Sequence, residues 1–378
     1  MSDQFDQESA SLSQRPELSD DLPPVQPPSA GFIVQLFVVP GLIVLAVVAV
    51  WAMFGRIAAG EQDWGKLVQE LQSPNDHIRK RAMYGLAQVL DQDRRRGEQG
   101  QHLSANPKIA LGLSSQLMKE LRSGSNSNET VAMQQYLTRA LGLLDPSETA
   151  GDTPQEANST DNDQPRASPA ASVTAALTQA LEPTRDIEIR KSAAASIAFI
   201  AGRALERGQP LEAPGLVQAL VEVSTDQQTI MRQAAAFALG LFRSPEANQQ
   251  LQVLLGNDDR MTRINAAIAL SRSGSTDGLA VFKQALMEKA PTTPEGKAED
   301  STLLKNSREG SVDVLNHNNR VAEHSTILKN SLKAIKDLAP MMTLEDKIEF
   351  RELVETLIRT HAEARIRMDA QNALNSLK

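Results

Sequence analysis

The chain has 378 residues and a formal net charge of −8, and only 3% of its residues are aromatic. A core so poor in aromatic rings has to be built from Ala, Leu, Ile and Val, which favours closely packed helices over a β-sandwich. The absence of cysteine excludes disulfides, thiolate nucleophiles and Cys-bound metals, and the negative net charge argues against a general nucleic-acid binder.

An acidic, Pro- and Ser-rich tail occupies residues 1–31 and is expected to be disordered, because it has no apolar period. An uncharged apolar stretch follows at residues 32–54, and its helix would be about 35 Å long, enough to span a bilayer. We therefore expect one transmembrane helix here. A buried core helix and a cleaved signal peptide are the alternatives, but a signal peptide needs a basic leader and a shorter apolar stretch.

The basic residues around this stretch predict its orientation. Arg15 is the only basic residue before it, whereas Arg56, Lys66 and the basic run at 79–81 follow it. By the positive-inside rule, the long C-terminal part is expected on the cytoplasmic side of the membrane. The sequence thus predicts a single-pass membrane protein.

From about residue 62 to 378, the chain repeats a pattern of an amphipathic helix, a short polar turn and an alanine-rich second helix. In the second helix an acid precedes an arginine, and an alanine follows the arginine three positions later, as in "DQQTIMRQAAAFALG" (226–240). The sequence predicts about seven such pairs, and in the second pair Gln134 replaces the arginine. The recurring arginines are Arg79, Arg190, Arg232, Arg263 and Arg367.

These arginines are predicted to be structural, because a residue that recurs in successive repeats suits a ladder, whereas a catalytic arginine is expected once. Stacking of the pairs would bury apolar faces that a single pair leaves exposed. Two polar, Pro-rich stretches interrupt the stack at 145–170 and 290–319, and both are expected to be mobile insertions. The first holds six acids and one arginine, so a docking site for a basic partner is the alternative to a solvated loop.

The pattern resembles the HEAT-repeat superfamily, in particular short bacterial HEAT repeats of the phycobilisome-lyase-like type. The resemblance extends over roughly residues 62–378. It implies an all-α, right-handed α-solenoid whose second helices line the concave face, with acids and arginines in ladders along the stack. It specifies no function, since such repeats serve many roles.

No catalytic, cofactor-binding or metal site is expected. Of the five histidines, only His317 and His324 lie near each other, in or beside the second insertion, and no HExxH, GxSxG, Walker or GxGxxG motif is present. A bilin-lyase-like or other repeat-protein enzyme is kept as the alternative, because relatives that attach bilins share the repeat.

Six basic residues of the first helical pair are candidates for contact with anionic lipid headgroups, because this pair is nearest to the predicted anchor. A solvated helix with cations at its C-terminus is the alternative. The six residues are Arg79, Lys80, Arg81, Arg94, Arg95 and Arg96.

Together these features predict a membrane-anchored, non-enzymatic scaffold or adaptor that binds an unknown protein partner through the surface of its solenoid. No nucleic acid, small-molecule substrate or cofactor is expected.

Overall fold

The computed structural model describes residues 42, 44–50, 63–124, 127–145, 168–291 and 308–378. By its internal contacts the chain divides into two units, Met1–Glu61 and Gln62–Lys378. In the first unit, residues 42 and 44–50 are helical and exposed. The predicted tail and the remainder of the predicted transmembrane helix lie outside the described residues. No helix within the described ranges is long and apolar enough to cross a membrane.

The second unit is all-helical wherever the structure describes it. The described residues of this unit contain fourteen α-helices: α1 Trp64–Glu70, α2 Asp76–Arg96, α3 Pro107–Arg122, α4 Asn128–Leu141, α5 Pro169–Leu181, α6 Ile187–Glu206, α7 Pro214–Val223, α8 Thr229–Leu239, α9 Pro245–Leu254, α10 Arg260–Arg272, α11 Leu279–Met287, α12 Arg308–Leu338, α13 Leu344–Thr360 and α14 Ala364–Ser376.

These helices form a two-layer array of seven pairs in the described part of the unit. Each odd-numbered helix packs against the even-numbered helix that follows it. The even-numbered second helices contact one another in chain order from α2 to α14, and first helices contact one another in a second layer. The repeat pattern therefore corresponds to a stack of helical hairpins, each of which completes the packing of its neighbours.

Polar caps and prolines define where many of these helices begin. The side chain of Asn106 accepts hydrogen bonds from two backbone N–H groups at the start of α3, and Pro107 occupies the first helical position, where its missing N–H costs nothing. Thr343 and Asp346 form a reciprocal capping box at the start of α13. The polar turns of the repeat are thus helix-start signals as well as connections.

The motif alanines are fully buried in the core. One apolar cluster runs from Leu71 to Leu270 and a second runs from Ala267 to Leu377, so that α10 contributes to both. The alanine three positions after each recurring arginine is 0% exposed in all five cases: Ala82, Ala193, Ala235, Ala266 and Ala370.

The insertion predicted at 290–319 is too long. Residues 308–319 are helical and begin α12, which continues to Leu338. Leu328 and Leu332 anchor this helix in the core. Once that packed segment is helical, each further residue adds a hydrogen bond without a new nucleation cost, so the helix extends into the polar stretch. Residues 292–307 lie outside the described residues.

The ends of the insertion predicted at 145–170 belong to the folded array. The backbone N–H of Asp145 donates to the carbonyl of Ser104 at 2.8 Å, and the Ser168 side chain caps α5. Residues 146–167 lie outside the described residues.

Substitution of Gly240 tests the close approach of the second helices. A Cβ at Gly240 would lie 2.3 Å from the Cβ of Ala269 in the next pair. The φ angle of Gly240 is −67°, which alanine adopts freely, so the expected effect is steric. We predict that Gly240→Ala lowers the free energy of unfolding by about 1–3 kcal/mol, measured by urea denaturation.

Gly215→Ala is the matched control, because a Cβ there would meet nothing within 4 Å. This variant is expected to be unchanged or more stable by about 0.4–1 kcal/mol, since alanine restricts the unfolded chain. Equal stabilities of the two variants would contradict the importance of the close approach.

Candidate functional site

The second helices α6, α8 and α10 form an open groove of about 890 Å³. Small side chains line much of it, including Ala194, Ala198, Gly202 and Ala234. The same short side chains that let the helices pack closely leave space above them. Two other clefts, of about 660 and 400 Å³, are smaller.

Three large apolar side chains in this groove are exposed to solvent. Phe199 on α6 is 65% exposed, and Ile230 and Phe237 on α8 are 46% and 44% exposed. Aromatic residues are scarce in this chain, and Phe282 and Phe350 are fully buried in the core. Exposed apolar side chains that cluster in this way are typical of a binding surface.

Positive charge surrounds the exposed rings. Four cations and one acid, Glu206, line the groove, so its local formal charge is 4 − 1 = +3 in a chain whose net charge is −8. A local sign opposite to that of the whole chain selects for an anionic ligand. The four cations are Arg94, Lys191, Arg203 and Arg272.

Arg272 contacts one of the exposed rings directly. Its guanidinium carbon lies 5.4 Å from the centroid of the Phe237 ring, a cation–π arrangement. Burial against its surroundings lowers the pKa of Arg272, although the side chain is still reached by solvent. No carboxylate within the described part of the chain forms an ion pair with Arg272. Its charge is therefore available to a ligand.

Arg203 and Lys191 already have partners. The Arg203 guanidinium donates hydrogen bonds to the carbonyls of Gly142 and Leu144 at 2.9 and 2.5 Å, which ties α6 to the end of α4. Burial lowers the pKa of Arg203. Lys191 is paired with Glu188 at 2.8 Å. These two cations contribute to the potential of the groove while they also hold the local structure.

The recurring arginines lie at the turns between paired helices. In four pairs the arginine Nη1 donates hydrogen bonds to the backbone carbonyls five and six residues earlier, at 2.7–3.2 Å. These carbonyls follow the first helix, whose last carbonyls have no partner within the helix. The arginines that make these bonds are Arg79, Arg232, Arg263 and Arg367.

Arg190 has a different environment from the other four. It is 3% exposed, its Nε donates to the carbonyl of Leu181 at 3.1 Å, and its guanidinium forms an ion pair with Asp226 of the next pair. Arg232 approaches Asp258 of the following pair at 3.4 Å. The acid–arginine ladder that the resemblance implies thus links the third pair to the fourth and the fourth to the fifth.

The ion pair determines the protonation of Asp226. Burial raises the pKa of Asp226, but the hydrogen bonds from Arg190 and from the backbone of Gln228 lower it, and the pKa ends below its usual value.

The six basic residues of the first pair do not form one cluster. Residues 79–81 and 94–96 lie at opposite ends of the 21-residue helix α2, about 22 Å apart along its axis. Several of these charges are paired, such as Lys80 with Asp76 at 2.7 Å and Arg81 with Glu70 at 3.0 Å. Arg94 lines the groove. Contact of these residues with lipid headgroups stays a prediction.

His317 and His324 lie on helix α12 rather than in a loop. His324 is 3% exposed, neither of its ring nitrogens has a hydrogen-bond partner, and burial lowers its pKa. Its ring lies nearly parallel to that of His361, with the two ring centroids 6.4 Å apart. In the described ranges, no group of three or more His, Cys, Asp or Glu side chains could hold a metal ion.

The exposed aromatic residues are not among the sequence-predicted sites, because the repeat pattern does not distinguish an exposed ring on a second helix from a buried one. The sequence does contain a signal for such rings, because they occur at a fixed distance from the recurring arginine. Phe237 follows Arg232 by five residues, and Tyr84 follows Arg79 by five, and both rings are exposed. The same position of two repeats thus carries an exposed ring, which core packing does not require.

The middle of the array matches a known family. Residues 213–298, which hold α7 to α11, match the family model of HEAT repeats. No curated protein matches the chain.

Several solved structures are similar to the chain. A designed armadillo repeat protein in complex with the peptide (KR)4 is 16% identical and has a TM-score of 0.38; the match covers 84% of this chain and 100% of that one. Kap121p bound to Ste12p is 17% identical with a TM-score of 0.42, covering 82% of this chain and 26% of Kap121p. Human deoxyhypusine hydroxylase in complex with glycerol is 14% identical with a TM-score of 0.28, covering 85% and 97%. Because all three TM-scores are below 0.5, no property of these proteins is transferred to this chain.

The buried ion pair between Arg190 and Asp226 leads to a stability prediction. We expect Asp226→Asn to lower the free energy of unfolding by about 3–5 kcal/mol, because Arg190 then stays buried without its carboxylate. Asp258→Asn is the matched control one pair further on. Asp258 is 89% exposed, so its loss should cost less than about 1 kcal/mol.

The same pair predicts a pH dependence. Since the pKa of Asp226 is lowered in the folded state, its stabilisation is present above the ordinary value of 3.8 and is lost as the pH falls through the lower folded pKa. The stability difference between the wild type and Asp226→Asn, from denaturation at a series of pH values, should therefore shrink in acid below 3.8. A difference that is constant with pH would exclude the ion pair as its source.

Proposed function

We propose that this protein is a membrane-anchored, non-enzymatic scaffold or adaptor that binds a protein partner through the surface of its second helices. The observation that carries this proposal is the groove on α6, α8 and α10, in which Phe199 and Phe237 are exposed beside Arg272. Aromatic residues and arginine are the side chains that most often dominate the energy of protein–protein interfaces.

The shape of the groove favours a macromolecular partner over a small molecule. Small-molecule sites bury most of the ligand surface in a concave pocket. Phe199 is 65% exposed and lies on an open helix face, where a small ligand would leave much of the ring in water. A protein surface laid across several helices would cover it.

The groove also lacks the groups that enzymes use for proton transfer at neutral pH. Histidine and carboxylates are the usual general acids and bases, and the residues that line the groove include Glu206 as the one acid and no histidine. Its shifted pKa values belong to Arg203 and Arg272, which stay charged. Tightly bound metal or a visible absorption band in the purified protein would instead favour an enzyme.

Membrane anchorage by residues 32–54 is part of the proposal. The support comes from the uncharged apolar sequence and from its described portion, where apolar side chains such as Leu45 and Val47 are 66% and 62% exposed on a helix. The basic residues that follow this stretch support a cytoplasmic location of the repeat array, which is part of the same proposal.

Crosslinking in the native membrane, followed by affinity capture of the full chain and its bound partners, tests the groove. We expect Phe199→Ser combined with Phe237→Ser to reduce recovery of the partner about tenfold or more, because hot-spot residues contribute about 2 kcal/mol or more each. Val253→Ser is the matched control, since Val253 is 64% exposed but lies on the first helix α9. Recovery that is equal for all three proteins would reject the groove as the binding surface.

The anchor is tested by extraction of membranes with alkaline carbonate. The full chain should stay in the pellet, whereas a variant without residues 32–54 should be released, because the apolar helix provides the insertion energy. Release of both proteins would refute anchorage. In sealed vesicles, protease sites introduced at 146–167 should be cut only when the cytoplasmic face is outside, and the opposite result would reverse the orientation.

A further inference from the structure

We propose that the groove binds an extended, acidic peptide segment of the protein partner, with apolar residues about three positions apart and carboxylates at both ends. This inference rests on the proposed function and names the chemistry of the partner. Electrostatics, the spacing of the exposed rings and the placement of the cations each contribute to it.

The groove is positively charged although the chain as a whole is acidic. The residues lining the groove carry +3, while the chain carries −8. A basic segment would be repelled by the four cations that line the groove, and a neutral segment would gain no electrostatic attraction from them. An acidic segment is attracted to these cations, so charge complementarity favours it over a basic or neutral segment.

The distance between the helices that carry the rings sets the spacing of the apolar residues in the segment. Phe199 and Phe237 belong to α6 and α8, which are adjacent second helices. Packed helices lie about 8–10 Å apart, and an extended chain in the polyproline-II conformation rises about 3.1 Å per residue with three residues per turn, so every third side chain lies on one face. A segment that crosses the helices therefore presents side chains to both rings about three positions apart.

The cations lie at the two ends of this path. Arg94 and Arg203 are close enough for the charge of Arg94 to lower the pKa of Arg203, and they stand where α2 and α6 border the groove. Arg272 stands on α10, one helix beyond Phe237. A segment whose apolar residues cover the rings thus reaches a guanidinium at each end, and carboxylates are the groups that guanidinium binds in bidentate fashion.

Nucleic acid is the other class of polyanion that a groove with rings and cations could bind. Single-strand binding proteins track the phosphate backbone with an extended positive groove and successive stacking rings. Here the groove has two exposed rings, Phe199 and Phe237, in a chain whose net charge is −8. The observations favour a peptide, and an oligonucleotide is included in the test.

The test is a selection of random nonapeptides displayed on phage against the full chain, immobilised in non-ionic detergent. The same selection is run on Arg94→Glu combined with Arg272→Glu, on Phe199→Ser combined with Phe237→Ser, and on the control Val253→Ser. Thermal unfolding followed by circular dichroism verifies that each variant is folded; the substituted side chains are at the surface of the groove or, for Val253, exposed on α9.

We expect the wild type and Val253→Ser to enrich acidic peptides with apolar residues three positions apart. The charge-reversal variant should enrich basic peptides instead, and the serine variant should enrich neither. In fluorescence anisotropy, the best wild-type peptide should bind the charge-reversal variant at least about tenfold more weakly, and added salt should weaken its binding to the wild type.

Enrichment of neutral or basic peptides by the wild type, enrichment that persists in the serine variant, or no enrichment overturns the inference. Tighter binding of a random single-stranded oligonucleotide than of the best peptide also overturns it. If partner capture from membranes still requires Phe199 and Phe237 while acidic peptides are not selected, the peptide chemistry is wrong and the proposed function stands. If capture does not require them, the proposed function fails.

Discussion

The close approach of successive second helices at their alanines is the constraint on which the array depends. Ala235 and its equivalents are fully buried, and at Gly240 even a methyl group would collide with Ala269 of the next pair. Such small side chains bury little apolar area each. Stability then comes from many such contacts between successive pairs, which together form a core that continues from one pair to the next.

The recurring arginines stabilise the turns between paired helices. The turns that follow the first helices have carbonyls outside the helical hydrogen-bond pattern, and Arg79, Arg232, Arg263 and Arg367 donate hydrogen bonds to such carbonyls in four pairs. In the second pair, Gln134 donates instead to the carbonyl of Glu120 at 2.7 Å. The recurring interaction is therefore a hydrogen bond from the side chain at this repeat position to a backbone carbonyl at or after the end of the first helix. An ion pair between neighbouring pairs is added where an acid of the next pair comes within reach.

The groove also results from the small side chains of the second helices. On helices whose packing faces are mostly alanine, Phe199 and Phe237 project beyond their neighbours and have no core to enter. Arg272 packs over one of these rings and is left without a carboxylate in the described part of the structure. A surface with exposed rings and a cation that has no carboxylate partner in the described residues can still form interactions, which is the physical basis for a partner there.

The sequence alone predicts the repeat, the helix pairs and the buried alanines. Helical periodicity and the three-residue spacing from Arg232 to Ala235 are local properties of the chain, so they can be identified without the tertiary structure. The start of α12 was not predictable in this way, since packing of Leu328 and Leu332 decides how far the helix extends. The groove was decided by the tertiary structure alone. Its rings and cations come from four helices that are far apart in sequence, and only their stacking brings them together.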